Sequence, residues 1–393
     1  QTCALPICIL PSFRTERATK SNTDRKEGNM PRANSEAVRE RQERARRYAV
    51  RRVDYPRRVM DLWKGVMRER FLQTRELANF RGFRGDFHTH SNHSDGAGTV
   101  AELAHFRDAA GLDFLFVTDH SGLSQKRDCL RFERMWWGQE PGTQHHHLGI
   151  LGLTRKFVPA KNLTRDYAAV KRRGGIPFIP HPCGWFPTTR YTDEQIAALD
   201  TLDDAFIMEI VNGANQIFDC WDVTDAQSVE LWDRLLCAGK RVTALGNTDA
   251  HLAEAIGDIW TGVIAGECTR AAILDALRMG RVFVSDAPVI DISVQCDGSD
   301  PVGMGGTLFV PLSKRNAPLV VRILAADSAG LASVSLVGGG RVLESWNVAG
   351  KAVLSVSFVV PTRQEPVYFR CECRSTDGRR AFSNPVYVVR KAE

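Results

Sequence analysis

The stretch GDFHTHSNHSDG, residues 85–96, contains three histidines and two aspartates in twelve positions. His88 and His90 are two residues apart, so on an extended strand their side chains leave the same face and can bind one ion together. Asp95 follows in a glycine-containing loop that can fold back over them. An H-x-H pair alone is weak evidence for a metal site, because histidines with a purely structural role are common. The rest of the chain has to decide between the two interpretations.

The distribution of histidine favours a metal site. All ten histidines lie between Gly85 and His251, and the last 142 residues contain none. Their positions are 88, 90, 93, 105, 120, 145, 146, 147, 181 and 251. A metal-binding domain flanked by non-catalytic segments would produce this distribution.

Short apolar runs alternate with amphipathic stretches from Gly85 to about Ser285. This pattern predicts a parallel α/β barrel or a doubly wound sheet. Polar clusters come directly after the apolar runs: TDH after LFV, HP after FIP, and NTDAH after TALG. These are carboxyl ends of strands, where α/β folds build their active sites. Asp249 and His251 repeat the two-residue spacing of His88 and His90.

Four more candidate ligands complete the set, and Glu140 is the best candidate for a bridging ligand. They are His120, Glu140, His147 and His181. Six imidazoles and three carboxylates exceed what one tetrahedral site can use, so two or three divalent ions are expected. Zinc, manganese and iron all accept such ligands.

Four polar residues are further candidates for catalysis: His93, Asp119, Glu209 and Asn212. His93 either protonates a leaving group or is an exposed loop residue. Asp119 is expected to orient a metal-bound imidazole rather than to bind metal itself. For Glu209 and Asn212, at the end of another apolar run, pocket lining and plain packing are equally compatible with the sequence.

The segments on either side of residues 84–287 have a different character. Residues 1–84 contain 21 Lys and Arg against 10 Asp and Glu, whereas the remainder contains 31 against 36. We expect residues 1–34 to be disordered or a non-native extension, and residues 35–83 to form a basic helical arm. Residues 288–393 alternate apolar and polar residues between turn signals, which predicts a small antiparallel β domain.

Composition places the chain among globular proteins, with 393 residues of which 43% are hydrophobic. We expect free thiols, because the ten cysteines are scattered and form no paired C-x-x-C. No apolar run is long enough for a membrane span and no leader follows Met30, so we expect a cytoplasmic protein without membrane contact. The sequence gives no indication of oligomeric state.

Five motifs resemble, in order and spacing, those of the polymerase-and-histidinol-phosphatase (PHP) superfamily of metal-dependent phosphoesterases. They are GDFHTHSNHSDG, FVTDH, GQE with a histidine seven residues on, PHP and ALGNTDAH. EIVNG, residues 256–285 and SNPVYVV are similar to the CehA/McbA-type branch of that superfamily. The resemblance covers roughly residues 84–390.

The resemblance implies a distorted (β/α)7 barrel of PHP type, with the helical arm before it and the antiparallel β domain after it. It also implies ligands for three ions. The first ion would bind to His88, His90 and Asp249, and would share Glu140 with the second. The second would bind to Glu140, His147 and His181, and the third to Asp95, His120 and His251. Because histidines 145 to 147 are consecutive, the choice of His147 depends on the register.

The expected reaction is hydrolysis of a small-molecule ester by a hydroxide held between the metal ions. A serine hydrolase or P-loop protein is disfavoured because neither G-x-S-x-G nor a P-loop is present. Phosphoesters rank first, and carbamate or amide-like esters are the alternative that the CehA/McbA resemblance implies. A nuclease, or a non-enzymatic nucleic-acid binder that uses the basic arm, is a further alternative.

Overall fold

The computed structural model describes residues 57–120, 122–142, 146–184, 189–202, 205–213, 221–314, 316–360 and 367–391. The predicted extension 1–34 and residues 35–56 of the predicted basic arm lie outside these residues. The described part is a mixed α/β fold, as the sequence pattern predicts.

Seven α-helices lie in the described part. They are α1 Arg57–Leu77, α2 Val100–Ala110, α3 Lys126–Cys129, α4 Leu163–Arg172, α5 Asp193–Leu199, α6 Val223–Cys237 and α7 Arg270–Arg278. Helix α2 shows how local sequence sets the bounds. It begins at a capping box between Thr99 and Glu102 and ends at Gly111, whose φ of 70° is in the left-handed region that glycine adopts without strain.

The strands fall into two groups along the chain. The first group is β1 Phe83–Asp86, β2 Phe114–Val117, β3 Met135–Gln139, β4 Gly149–Leu151, β5 Ile176–Phe178, β6 Ala205–Asn212, β7 Arg241–Asn247, β8 Trp260–Val263 and β9 Val282–Ser285. The second is β10 Val289–Cys296, β11 Val302–Gly303, β12 Thr307–Pro311, β13 Leu319–Ala326, β14 Leu331–Gly338, β15 Arg341–Asn347, β16 Val353–Val360, β17 Tyr368–Ser375, β18 Arg380–Ser383 and β19 Val386–Lys391.

Strands β1 to β7 carry the parallel pairs that the sequence predicts. β1 pairs with β2, β2 with β3, and β6 with β7, all in parallel. Two isolated parallel bridges add to these pairs. Ile179, directly after β5, pairs with Met208 of β6, and Thr89, after β1, pairs with Ala250, after β7. β4 departs from the prediction, because it runs antiparallel to both β3 and β5.

The sheet continues past β1 into the second group without a break. β8 is antiparallel to β1, β9 to β8, and β18 to β9. Strands β10, β11, β13 and β16 form a separate four-stranded antiparallel sheet. The expectation of antiparallel pairing after residue 288 holds for most strands there, but β12 and β19 are parallel.

Helix α1 and Asn384 connect the two groups of strands. Met60 and Phe71 of α1, at helical spacing, are buried in a core that includes residues from both groups. The fully buried Lys64 lies 2.8 Å from Asp258, and Arg70 lies 2.7 Å from Asp327. The Asn384 side chain accepts from the Ala244 backbone N–H and donates to the carbonyls of Ala244 and Val282. Each contact spans the predicted boundary at residues 287 and 288 or braces the arm helix.

Two further sequence expectations concern cysteines and membranes. The seven cysteines in the described residues are free thiols, as expected. Among the helices described, none has both the length and the apolar character that crossing a bilayer requires.

Candidate metal centre

Strand ends place the nine predicted ligands at one edge of the fold. Each follows a strand or, for His147, precedes one: His88, His90 and Asp95 follow β1, His120 follows β2, Glu140 follows β3, His147 precedes β4, His181 follows β5, and Asp249 and His251 follow β7. Because β4 is antiparallel, its beginning lies beside the end of β3. The unpredicted direction of β4 therefore explains how His147 reaches the other ligands.

The structure brings all nine side chains together in four overlapping groups. Within each group the ligand atoms lie within 4.8 Å of one another. The groups are His90, Asp95, His120 and His251; His88, His181 and Asp249; His88, His90 and Glu140; and His120, Glu140 and His147. Below we call the nine side chains the metal cluster. The sharing of His88, His90, His120 and Glu140 between groups is what a site for more than one ion requires.

Four imidazoles of the metal cluster share one orientation. In each, Nδ1 donates to an oxygen outside the centre: His88 to Glu209 Oε1 at 2.9 Å, His120 to the Glu140 carbonyl at 2.8 Å, His181 to the Thr189 carbonyl at 3.1 Å, and His251 to the Asp249 carbonyl at 2.8 Å. Nε2 of each then faces a carboxylate of the cluster at 3.1 to 3.4 Å. Metal-binding histidines are typically held in this way, with one nitrogen fixed and the other presented to the ion.

Three buried polar atoms in the centre have no hydrogen-bond partner among the described residues: His90 Nδ1, Glu140 Oε2 and Asp249 Oδ1. Glu140 Oε2 lies 3.4 Å from His88 Nε2, and Asp249 Oδ1 lies 3.0 Å from His90 Nε2. Ligands about 2.1 Å from one tetrahedral ion are themselves about 3.4 Å apart. Buried polar atoms without partners are costly, so the donor set fits divalent cations.

Opposite charges in the metal cluster shift the pKa values of its members strongly. Burial lowers the pKa of the imidazoles, but Glu140 and Asp95 more than offset this and raise the pKa of His120 to about 10. Asp95 and Asp249 similarly raise the pKa of His251 to about 9. Burial raises the pKa of Glu140, yet the surrounding imidazoles hold it well below its usual range. The cluster therefore binds protons that a metal would displace.

Glu209 is a carboxylate that orients His88, a fully buried candidate ligand. Its Oε1 accepts from His88 Nδ1 at 2.9 Å and Asn247 Nδ2 at 2.8 Å, and its Oε2 accepts from the His181 backbone N–H at 2.8 Å and Asn212 Nδ2 at 3.0 Å. Asn212 also donates to Asp249 at 3.4 Å. Glu209 thus performs the orienting function that the sequence suggested for Asp119.

Asp119 and His93 contact the loop instead of the ligands. The Asp119 carboxylate accepts from the backbone N–H and hydroxyl of Ser91 and from the Ser94 hydroxyl, at 2.6 to 2.8 Å. His93 is held by Ser124 at 3.1 Å and Asp128 at 2.9 Å. Both of its ring nitrogens are engaged by these residues, and within the described residues neither contacts the cluster. This geometry does not favour His93 as the proton donor.

The structure also separates the consecutive histidines. His147 Nδ1 lies 3.0 Å from Glu140 Oε1, and Tyr191 holds its backbone by donating to the His147 carbonyl. His146 is turned to the other side, 3.3 Å from Asp166. His145 lies outside the described residues. The geometry favours His147 over His146 as the ligand.

Two residues important for the site received no role from the sequence: Asp86 and Asn247. Asp86 accepts from the His88 backbone N–H and from both donors of Thr248, so it joins the loops after β1 and β7. Asn247 accepts from the Phe87 N–H and donates to Glu209. Both stand within the quoted motifs, so the only available signal was their polarity beside candidate ligands.

Comparison with known proteins gives one family match, which supports a relation to the PHP superfamily. Residues 237–282 match the model of the PHP-associated family (PHP_C). This segment includes Asp249 and His251 and excludes the other seven members of the cluster. No protein in the curated collection matches the chain.

Two solved structures are distantly similar. One, from Bacteroides vulgatus, is described as a two-domain protein containing a predicted PHP-like metal-dependent phosphoesterase; identity is 15%, coverage is 78% of this chain and 94% of that one, and the TM-score is 0.44. The other is PsfC from Pseudomonas syringae, with 16% identity, 50% and 87% coverage and a TM-score of 0.37. Both TM-scores are below 0.5.

Proposed function

We propose that this chain is a metal-dependent hydrolase of the PHP superfamily, with a phosphoester as its substrate. One observation carries the proposal. Nine imidazole and carboxylate side chains converge from separate strand ends, and four of the imidazoles are fixed through Nδ1 with Nε2 facing the centre. Such orientation is costly to build and is characteristic of ligands for divalent ions.

The proposal includes the distorted (β/α)7 barrel. Seven strands are connected in a closed ring. β1 to β5 pair in order, the bridge at Ile179 joins β5 to β6, β6 pairs with β7, and the bridge at Thr89 joins the residues after β7 to those after β1. In such a ring β4, antiparallel to its neighbours, is the distortion. The domain limits 84–287 and 288–393 and the CehA/McbA relation stay part of the proposal.

The residues of the chain have distinct tasks in this hydrolase. Bound divalent ions would lower the pKa of coordinated water toward neutrality and neutralise charge on the substrate. One ion would lie near the solvent, because Asp95 is half-exposed, and would be held by Asp95, His90, His120 and His251. Another would lie in the interior and would be held by His88, Asp249 and His181. Glu140 would bridge them, and Glu209 with Asn212 would fix the orientation of the buried ligands.

The test combines metal content with activity. We expect purified protein to retain zinc, manganese or iron after gel filtration, measured by elemental analysis, and to hydrolyse 4-nitrophenyl phosphate or bis(4-nitrophenyl) phosphate. His88→Ala and Asp249→Asn should lose metal and at least about a hundredfold of activity. The matched control is His105→Ala, which removes an exposed imidazole paired with Asp61. Full activity in His88→Ala would refute the proposal.

The same assay distinguishes ester classes. Aryl N-methylcarbamates are tested beside the phosphates on metal-loaded protein. A higher kcat/KM for the phosphates supports the proposed substrate class, whereas a clear preference for the carbamate would overturn it and favour the CehA/McbA-type alternative. Degradation of single-stranded DNA with manganese would instead indicate a nuclease.

A further inference from the structure

A second cleft lies between the end of β9 and the β17–β18 hairpin. Its volume is ≈ 250 Å³, and it is lined by Trp221, Asp286, Asp377 and three arginines, Arg374, Arg379 and Arg380. None of the nine members of the metal cluster lines it. We call it the arginine cleft.

The arginine cleft has an excess of positive charge. Arg70, from helix α1, donates to both oxygens of Asp377 at 2.6 and 3.1 Å, so that carboxylate is already matched. Asp286 accepts from the Arg380 backbone N–H at 2.6 Å and lies 3.8 Å from Arg379 Nη1. Burial raises the pKa of Asp286 to about 7, which weakens its negative charge near neutral pH.

Arg374 is the exposed cation of this cleft. It leaves β17 just before the hairpin turn, and its Nη2 lies 3.7 Å from the position that a Cβ of Gly378 would occupy. Within the described residues the Arg374 guanidinium has neither a hydrogen bond nor an ion pair. A guanidinium that stands free at a concave surface is available to an anion.

The floor of the arginine cleft is formed by packed aromatic side chains. Arg380 Cζ lies 4.1 Å from the Trp221 ring centroid, and Trp221 stacks on Phe382 with 5.5 Å between centroids and an interplanar angle of 17°. Phe382 belongs to an apolar core that also contains Ile259, Val284 and Val211. The arginines are therefore presented from a packed base, which reduces the entropy lost when a ligand binds.

We propose that the arginine cleft binds a small organic phosphate, whose phosphate oxygens pair with Arg374 and Arg380. Guanidinium groups match phosphate oxygens in a two-pronged geometry, and two of them converging on one cleft favour a polyanionic group over a single carboxylate. The site is independent of the metal cluster and of the proposed hydrolase activity.

The test uses the full chain carrying His88→Ala. The protein is treated with chelator so that no metal ion bound to the metal cluster competes for phosphate. Inorganic pyrophosphate is titrated by calorimetry, with citrate in a parallel arm. We expect one saturable pyrophosphate site that Arg374→Gln weakens at least about tenfold, with Arg380→Gln as a second variant. Arg172→Gln, an exposed arginine on α4, is the matched control and should bind normally.

Three results would overturn the proposal: no saturable pyrophosphate binding, equal weakening by Arg172→Gln, or tighter binding of citrate than of pyrophosphate. Thermal melting of each variant establishes that it is folded. Because the assay lacks metal and measures no turnover, its outcome is separate from that of the hydrolase test.

Discussion

Glu209→Gln tests how far one buried carboxylate fixes the metal cluster. The side chain is fully buried and accepts four hydrogen bonds, two on each oxygen. Glutamine has the same shape but only one acceptor oxygen, so its NH₂ must face two donors whichever way it turns. If the glutamine NH₂ faces His88, the ring proton of His88 must move to Nε2, the nitrogen directed at the cluster. If the NH₂ faces His181, it lies against the His181 backbone N–H, which is also a donor.

Either orientation weakens metal binding by an amount that can be estimated. Loss of such a partner typically costs 10- to 100-fold in metal affinity, which corresponds to about 1.4 to 2.7 kcal/mol. Each donor left unsatisfied should also lower the free energy of unfolding of the metal-free protein by about 1 to 3 kcal/mol.

The assay is a titration of chelator-treated protein with buffered zinc or manganese, followed by urea unfolding. Glu230→Gln, on the exposed face of α6, makes the same chemical change and should behave as wild type. The reasoning is wrong if Glu209→Gln binds metal with wild-type affinity under conditions in which His88→Ala does not.

Three other predictions follow from buried charges. Lys64→Met leaves the Asp258 carboxylate buried without its partner and should cost about 3 to 5 kcal/mol in urea unfolding, partly regained when Asp258→Asn is added; an unchanged midpoint would contradict this. Because burial raises the pKa of Asp286 to about 7 in the folded state, the contribution of Asp286 to the stability of the wild type falls as the pH rises from about 4 to 7. Asp286→Asn should lack this loss, so its unfolding free energy relative to wild type should rise across that range. Since His120 and His251 have pKa values of about 10 and 9, metal must displace their protons, and metal affinity should increase with pH between about 6 and 8; a flat profile in direct titrations would disprove the displacement.

The candidate ligand side chains could be recognised in the sequence because their spacing is a local property. Two residues that flank one extended residue project together, and the Nε2 atoms of His88 and His90 lie 3.1 Å apart. Polar residues after apolar runs mark strand ends, which meet at one edge if the strands are parallel. The convergence of eight of the nine side chains therefore follows from the order of the motifs, whereas His147 joins them through the antiparallel direction of β4.

Strand direction and partner choice are not local and could not be predicted. Nothing in GIL, residues 149–151, indicates that β4 runs against its neighbours, because its three residues are buried and apolar in either direction. The sequence likewise placed the orienting carboxylate at Asp119, next to a ligand, whereas Glu209 reaches His88 from a strand 121 positions away. Which carboxylate reaches which imidazole depends on how strands pack.

The uninterrupted sheet from β1 through β9 to β18 bears on how the chain can be divided. A fragment ending at residue 287 would expose the outer edge of β9, where Phe283, Val284 and Ser285 now pair with β18. It would also lose the Asn384 amide that satisfies backbone groups of β7 and β9. Unpaired strand edges recruit strands from other molecules, so the metal-binding half, made alone, should self-associate and precipitate.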